Sequence, residues 1–284
     1  MPKEFSWTNP NGNKIYAAEW PAPNARAVVG LIHGVGEHCR RYDHLAAYFN
    51  GQGIAVIGYD RQGFGRSDGK PGHSASIVEL VDEVSRLTVV CERRYPDTPV
   101  FLYGHSMGGM LLLLYLIRRN PRISGAIVSA PHIRLAFQPN PLLVGVGKLM
   151  RRWAPTFTQE NKLDLDLLSR SPEVRPAYEN DPNVHYKLSS QLGIDMLESA
   201  AEIDAWRGQL PVPTLLMHGD ADGITSFAAS RDFAERNPKG LEFKVWKELY
   251  HELHNEPEQK EIFAFSTAWI DRHLSKIHRP PASV

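Results

Sequence analysis

The chain predicts an α/β protein, a mostly parallel sheet flanked by helices with one further segment inserted late in the sheet. Short apolar runs alternate with helix-length stretches through the first 130 residues, the rhythm of βα units. That rhythm stops over 131–210, where Pro139, Pro141, Pro155, Pro172, Pro176 and Pro182 fall among short helical patterns, and it resumes over 211–284. The division into 1–130, 131–210 and 211–284 reads as one sheet interrupted by an insertion, not as two complete domains.

The elements follow in order. Residues 27–32 (Ala-Val-Val-Gly-Leu-Ile) form an unbroken apolar hexamer, which fits a strand covered on both faces. A helix over 42–52 closes at Gly53, where a residue without a Cβ can leave the helix. Strand 54–59, a helix over 77–95 stopped by Pro96, and strand 100–103 continue the alternation. A helix over 108–119 and a strand over 124–129 come next. After the insertion, a strand at 214–217, a helix at 227–236 ahead of Pro238, a strand at 242–246 and a closing helix at 258–274 complete the pattern.

Composition removes several function classes. Hydrophobic residues are 42% and charged residues 23% of the 284, ordinary for a chain with a sizeable core. With 32 basic and 32 acidic residues the net charge is zero, without the basic excess of a nucleic-acid surface, so no nucleic-acid partner is expected. The longest apolar run, 110–117, is far short of the roughly 20 residues that cross a bilayer. The first residues, Met-Pro-Lys-Glu-Phe-Ser-Trp, lack the pattern of a secretory signal, and Cys39 and Cys91 are too few for a disulfide scaffold. A cytoplasmic chain with two free thiols is the expectation. Oligomeric state is not legible.

Residues 104–108 read Gly-His-Ser-Met-Gly, a G-x-S-x-G string that chance alone can produce. Context sharpens it. An apolar strand leads in and a helix pattern leads out, the setting in which a tight turn lifts a serine hydroxyl above a sheet edge. Ser106 is the candidate nucleophile. A serine hydroxyl needs an imidazole base, and the base needs a carboxylate to fix its tautomer. In strand–turn–helix nucleophile sites the order is serine, acid, histidine. Of the twelve histidines, His251, His254, His273 and His278 follow a plausible acid. His273 and His278 lie at or beyond the end of the last helix, so His251 is preferred with His254 as the fallback. After strand 214–217, Asp222 is the preferred acid, while Asp220 suits a turn-stabilising role and Asp60 a structural one. Negative charge developing on a carbonyl oxygen needs two donors: the Met107 amide, next to the nucleophile, and the Val35 amide in the glycine-rich loop 33–38. A zinc reading fails, since His251-Glu-Leu-His254 lacks the H-E-x-x-H spacing.

The stretches His33-Gly-Val-Gly-Glu-His-Cys-Arg-Arg-Tyr42, Gly104-His-Ser-Met-Gly-Gly109, Gly219-Asp-Ala-Asp222 and Tyr250-His-Glu-Leu-His254 together resemble the monoacylglycerol lipase and lysophospholipase branch of the α/β-hydrolase superfamily. The resemblance covers residues 18–275. It implies the α/β-hydrolase fold with a helical cap between the sixth and seventh strands. It also implies Ser106, Asp222 and His251 as triad, Val35 and Met107 as amide donors, and no cofactor or metal. A polar pocket for the glycerol end of an acyl ester would then be built from Glu37, Arg41 and His254. Cys39 and Arg40 depart from the small residues common there, and the cap aligns poorly.

The expected activity is hydrolysis of a small acyl ester, with a monoacylglycerol first and a lysophospholipid or short-chain carboxylic ester as alternatives. A proline iminopeptidase-like peptidase shares the fold and would want cap acids, such as Asp164, Asp166, Glu198, Glu202 or Asp204, to hold a free amine. A non-catalytic scaffold would be expected to have lost triad members, and an epoxide hydrolase or dehalogenase would carry aspartate at position 106. In the inserted segment, Leu142, Leu143, Val144, Val146, Leu149 and Trp153 are expected either to pack the segment onto the body, the simpler outcome, or to touch a lipid surface beside a basic helix end.

Overall fold

The computed structural model describes residues 1–161 and 163–277. His278 lies outside them. The chain opens with two strands that the apolar-run reading passes over, β1 (Lys3–Thr8) and β2 (Lys14–Trp20). They form an antiparallel pair around Asn11-Gly12, with Gly12 at φ +81°, the kind of turn that asparagine and glycine tolerate. β1 mixes apolar and charged residues and is only half covered, so it lacks the continuous apolar signal of a central strand.

The parallel part follows: β3 (Ala27–Ile32), α1 (Asp43–Gly51), β4 (Ile54–Tyr59), α2 (Ile77–Arg94), β5 (Val100–His105), α3 (Met107–Arg119) and β6 (Gly125–Ser129). Each of β3, β4, β5 and β6 is buried along its whole length, as the apolar runs predict. Then come α4 (Pro141–Trp153), β7 (Thr158–Glu160), α5 (Val174–Glu179), β8 (Lys187–Ser189) and α6 (Ser190–Ala205), with β7 and β8 forming a small sheet of their own. The main sheet resumes with β9 (Thr214–Gly219), α7 (Phe227–Arg236), β10 (Leu241–Trp246) and α8 (Gln259–Ile277). Its order is β1-β2-β4-β3-β5-β6-β9-β10, parallel from β4 through β10.

Two apolar layers cover the sheet. Leu80, Val84 and Leu87 of α2 and Met110 to Leu114 of α3 fill one face, while Leu45 and Phe49 of α1 and Ile262, Phe263 and Trp269 of α8 fill the other. The inserted segment is not uniformly separate. Leu192, Ala200 and Ile203 of α6 belong to the first layer, so the stretch that departs from the core is shorter than 131–210. Among the described residues no helix is long and apolar enough to cross a membrane.

Candidate active site

Loops after β3, β5, β9 and β10 converge on one cavity, at the carboxyl ends of parallel strands where open α/β sheets form their crevices. Ser106 makes the turn between β5 and α3 at φ 54° and ψ −118°. Holding a non-glycine residue there costs about 1–3 kcal/mol, offset by the surrounding packing. The flanking glycines permit it: a Cβ on Gly108 would run into the carbonyl oxygens of Ile32 and His33, and one on Gly104 into the Gly108 backbone. Backbone bonds from Ser106 N–H to Ser129 O (3.0 Å) and from His132 N–H to Ser106 O (3.1 Å) pin the turn.

The structure brings Ser106, His251 and Asp222 together. His251 Nε2 lies 2.9 Å from Ser106 Oγ, and its Nδ1 lies 2.8 Å from Asp222 Oδ2. One tautomer satisfies both contacts, with Nδ1–H donating to the carboxylate and Nε2 accepting the hydroxyl proton. Asp222 Oδ1 accepts the Ile224 and Thr225 amides at 2.7 and 2.9 Å, and Oδ2 accepts Thr225 Oγ1 at 2.8 Å. Burial pushes the Asp222 carboxyl up, but the facing His251 and His218 rings outweigh it and hold the group well below the usual carboxylate range. Burial likewise pushes His251 down, and the Asp222 charge and hydrogen bond overcome it, leaving the imidazole above its ordinary value.

His218 is a member of this network that sequence reasoning misses. Its Nε2 is 3.0 Å from Asp222 Oδ2 and its Nδ1 is 2.8 Å from Ser230 Oγ. It sits inside β9, where a buried histidine reads as part of the strand. The other carboxylates take the structural places expected of them: Asp220 accepts the Glu248 amide at 2.6 Å, and Asp60 accepts the Cys39 and Arg66 amides at 2.8 and 2.9 Å.

Val35 lines the cavity beside Ser106. Buried Arg61 donates to the carbonyl oxygens of His33 and Gly34. In a planar trans peptide the C=O and N–H point in opposite directions, so the bond to Gly34 turns the Val35 N–H away from Arg61. Met107 begins α3, and a first-turn N–H has no carbonyl one turn back to bond.

Glu37 also lines the cavity, and Arg41 pairs with it at 2.6 Å. Arg41 grips Glu252 with two further bonds, at 2.7 and 2.8 Å, and Glu252 is on the cavity wall. Sequence reasoning passes over Glu252, whose one signal is that it follows His251. The structure places His254 close to Glu37 and Glu252 but behind the wall they form. It is not on the cavity wall; the short helical turn Leu253–Asn255 directs its ring inward, where it stacks on Tyr42 with centroids 4.3 Å apart. Burial and the neighbouring His105 push His254 well below the ordinary histidine range, and burial with the His251 charge takes His105 down to about 3. Ligand atoms of Glu37, Glu252 and His254 lie within 4.8 Å of one another, but Arg41 already occupies both carboxylates, a donor set that fits a guanidinium better than a metal ion.

The cavity encloses about 30 Å³, room for a single water, beneath Leu163, Leu168 and Tyr178 of the inserted segment. A larger cleft of about 500 Å³ beside Arg170, Arg175 and Tyr250 touches neither Ser106 nor His251. The five acids considered for holding an amine are not on the cavity wall. Asp166, Glu198, Glu202 and Asp204 are paired with arginines, and Asp164 caps a turn. Helix α4 lies against α6 with no fully buried residue: Val144 is half-buried, while Leu142, Leu143 and Trp153 are 75%, 68% and 74% exposed.

Residues 23–258 match the family described as serine aminopeptidase, S33. A monoacylglycerol lipase of Mycolicibacterium smegmatis is 36% identical over 95% of this chain and 98% of its own. The phospholipase YtpA of Bacillus subtilis is 31% identical over 90% and 99%. The crystal structure of a monoacylglycerol lipase from Paleococcus ferrophilus superposes with a TM-score of 0.83 at 31% identity, covering 91% of this chain and 99% of that one. The chain belongs to this family, in the monoacylglycerol lipase branch of the α/β-hydrolase superfamily.

Proposed function

We propose that the protein hydrolyses monoacylglycerols to a fatty acid and glycerol through an acyl-enzyme on Ser106. The observation that carries this reading is the unbroken chain Ser106 Oγ, His251, Asp222, with contacts of 2.9 and 2.8 Å, under a cover whose cavity also presents Glu37 and Glu252. Ser106 attacks the ester carbonyl as His251 Nε2 takes its proton. Asp222 stabilises the imidazolium, and the Val35 and Met107 amides receive the oxyanion. His251 returns the proton to the departing glycerol oxygen, and water then cleaves the acyl-enzyme by the same route.

The segment between β6 and α6 acts as a cap that moves to admit substrate, since a cavity of about 30 Å³ holds no acyl chain. The exposed apolar face of α4, with Arg151 and Arg152 in its last turn, rests transiently on a lipid surface. Two buried free thiols suit a reducing, cytoplasmic setting.

A panel of monoacylglycerol, lysophospholipid, triacylglycerol and short p-nitrophenyl ester, ranked by kcat/KM, tests the reading. Monoacylglycerol is expected first. A lysophospholipid in that place overturns it.

A further inference from the structure

The resemblance accounts for Glu37, Arg41 and His254 but not for Glu252, and the structure gives Glu252 a place on the same wall as Ser106. Two carboxylates share one guanidinium here, and the carboxylates line the cavity while Arg41 does not. The second buried cation, Arg61, is bound to the His33 and Gly34 carbonyls and is also absent from the wall. Neighbouring His105 and His254 are held neutral by burial, so neither offsets the extra negative charge.

The acceptor count points the same way. A carboxylate has about four lone-pair positions. Glu37 receives three bonds, from the Gly34 amide, Tyr42 Oη and Arg41. Glu252 also receives three, two from Arg41 and one from Asn255 Nδ2 at 2.7 Å. Among the described residues one acceptor position is left on each. Beside them, both ring nitrogens of fully buried His254 lack a hydrogen-bond partner among the described residues.

We infer that Glu252 makes the head-group end of the site a two-acceptor, net-negative pocket that selects an uncharged vicinal diol and rejects a phosphate at the same place. Two hydroxyls can each donate to a carboxylate, whereas an ionised phosphate brings only acceptors and adds like charge in a poorly solvated space. This rests on the monoacylglycerol reading and sharpens it, since it separates the two activities named among the relatives.

The test compares kcat/KM for 1-lauroyl-glycerol and 1-lauroyl-glycerol 3-phosphate in the wild type and in Glu252→Gln, which keeps the shape and removes the charge. The wild type is expected to favour the neutral ester by roughly a hundred-fold or more, and the variant to narrow that ratio by roughly ten-fold, through a lower KM for the phosphate ester. A ratio taken within one protein is insensitive to a general loss of activity. A wild-type ratio near one, or a ratio unchanged in the variant, overturns the charge selection.

Competition against p-nitrophenyl butyrate in the wild type supplies a reading independent of the variant's folding. Glycerol is expected to inhibit at lower concentration than glycerol 3-phosphate, and the reverse order overturns the inference. Turnover of p-nitrophenyl butyrate with none of lauroyl glycerol defeats the monoacylglycerol reading itself, an outcome distinct from equal use of the two lauroyl esters.

Discussion

The floor of the site and its cover are built on opposite terms. Beneath, Ser106, Asp222 and His251 are buried; Ser106 is bonded to β6, Asp222 to β9, and His251 is held between the two. In the inserted segment, α4 has no fully buried residue and presents Leu142 and Leu143 to solvent. The groups that carry charge through a reaction need fixed distances, because electrostatic stabilisation depends on preorganisation, while in the proposed reading the part that receives an acyl chain has to yield.

The sharpest way to break this contrast is at the floor. Ser106→Ala is expected to abolish labelling by a fluorophosphonate probe and to lower ester turnover by roughly 10⁶-fold. Residual labelling at wild-type rate would place the nucleophile elsewhere. Asp222→Asn is expected to lower kcat by roughly 10⁴-fold while a cooperative thermal unfolding transition persists, since the change disturbs the His251 tautomer more than the fold.

A pH profile then sharpens the account. His251 must be neutral to accept the serine proton, and its pKa lies above the ordinary histidine value. The acid limb of kcat/KM for a short ester should therefore fall above about pH 6.5, and it should move to lower pH in Asp222→Asn, where the carboxylate charge that raises it is gone. A limb that stays in place removes Asp222 from control of the base.

The smallest effect is expected at the cover. Leu142→Glu with Leu143→Glu should reduce co-flotation with vesicles while turnover of a soluble short ester and stability, within about 0.5 kcal/mol, stay unchanged. Unaltered flotation ends the lipid-contact proposal.

Sequence patterns reached the central strands because burial on both faces writes an unbroken apolar run, as at 27–32 and 54–59. They missed β1, an edge strand that mixes charge with apolar residues, and β2, which is buried but carries Lys14 and Glu19 around a short apolar run. The residues at strand ends were legible because chain order and turn chemistry constrain them: the motif singled out Ser106, and the loops after β9 and β10 contain Asp222 and His251. Partnerships made only in three dimensions were not legible. His218 reaches Asp222 because the end of β9 curls back over its own last residues, and Glu252 meets Arg41 from the far end of the chain, 211 residues away. The inward turn of His254 belongs to the same class, because an i, i+3 spacing says nothing of which way a ring faces in a short helical turn.

Strands β6 and β9 lie side by side in register although the whole inserted segment separates them along the chain. The segment thus departs from and returns to adjacent positions, and its last helix, α6, shares the core. A foreign loop of different length could be grafted between the end of β6 and the start of α6 without asking any strand to change its neighbour. Inheritance can therefore remodel what the molecule accepts while the apparatus that cuts is passed on untouched.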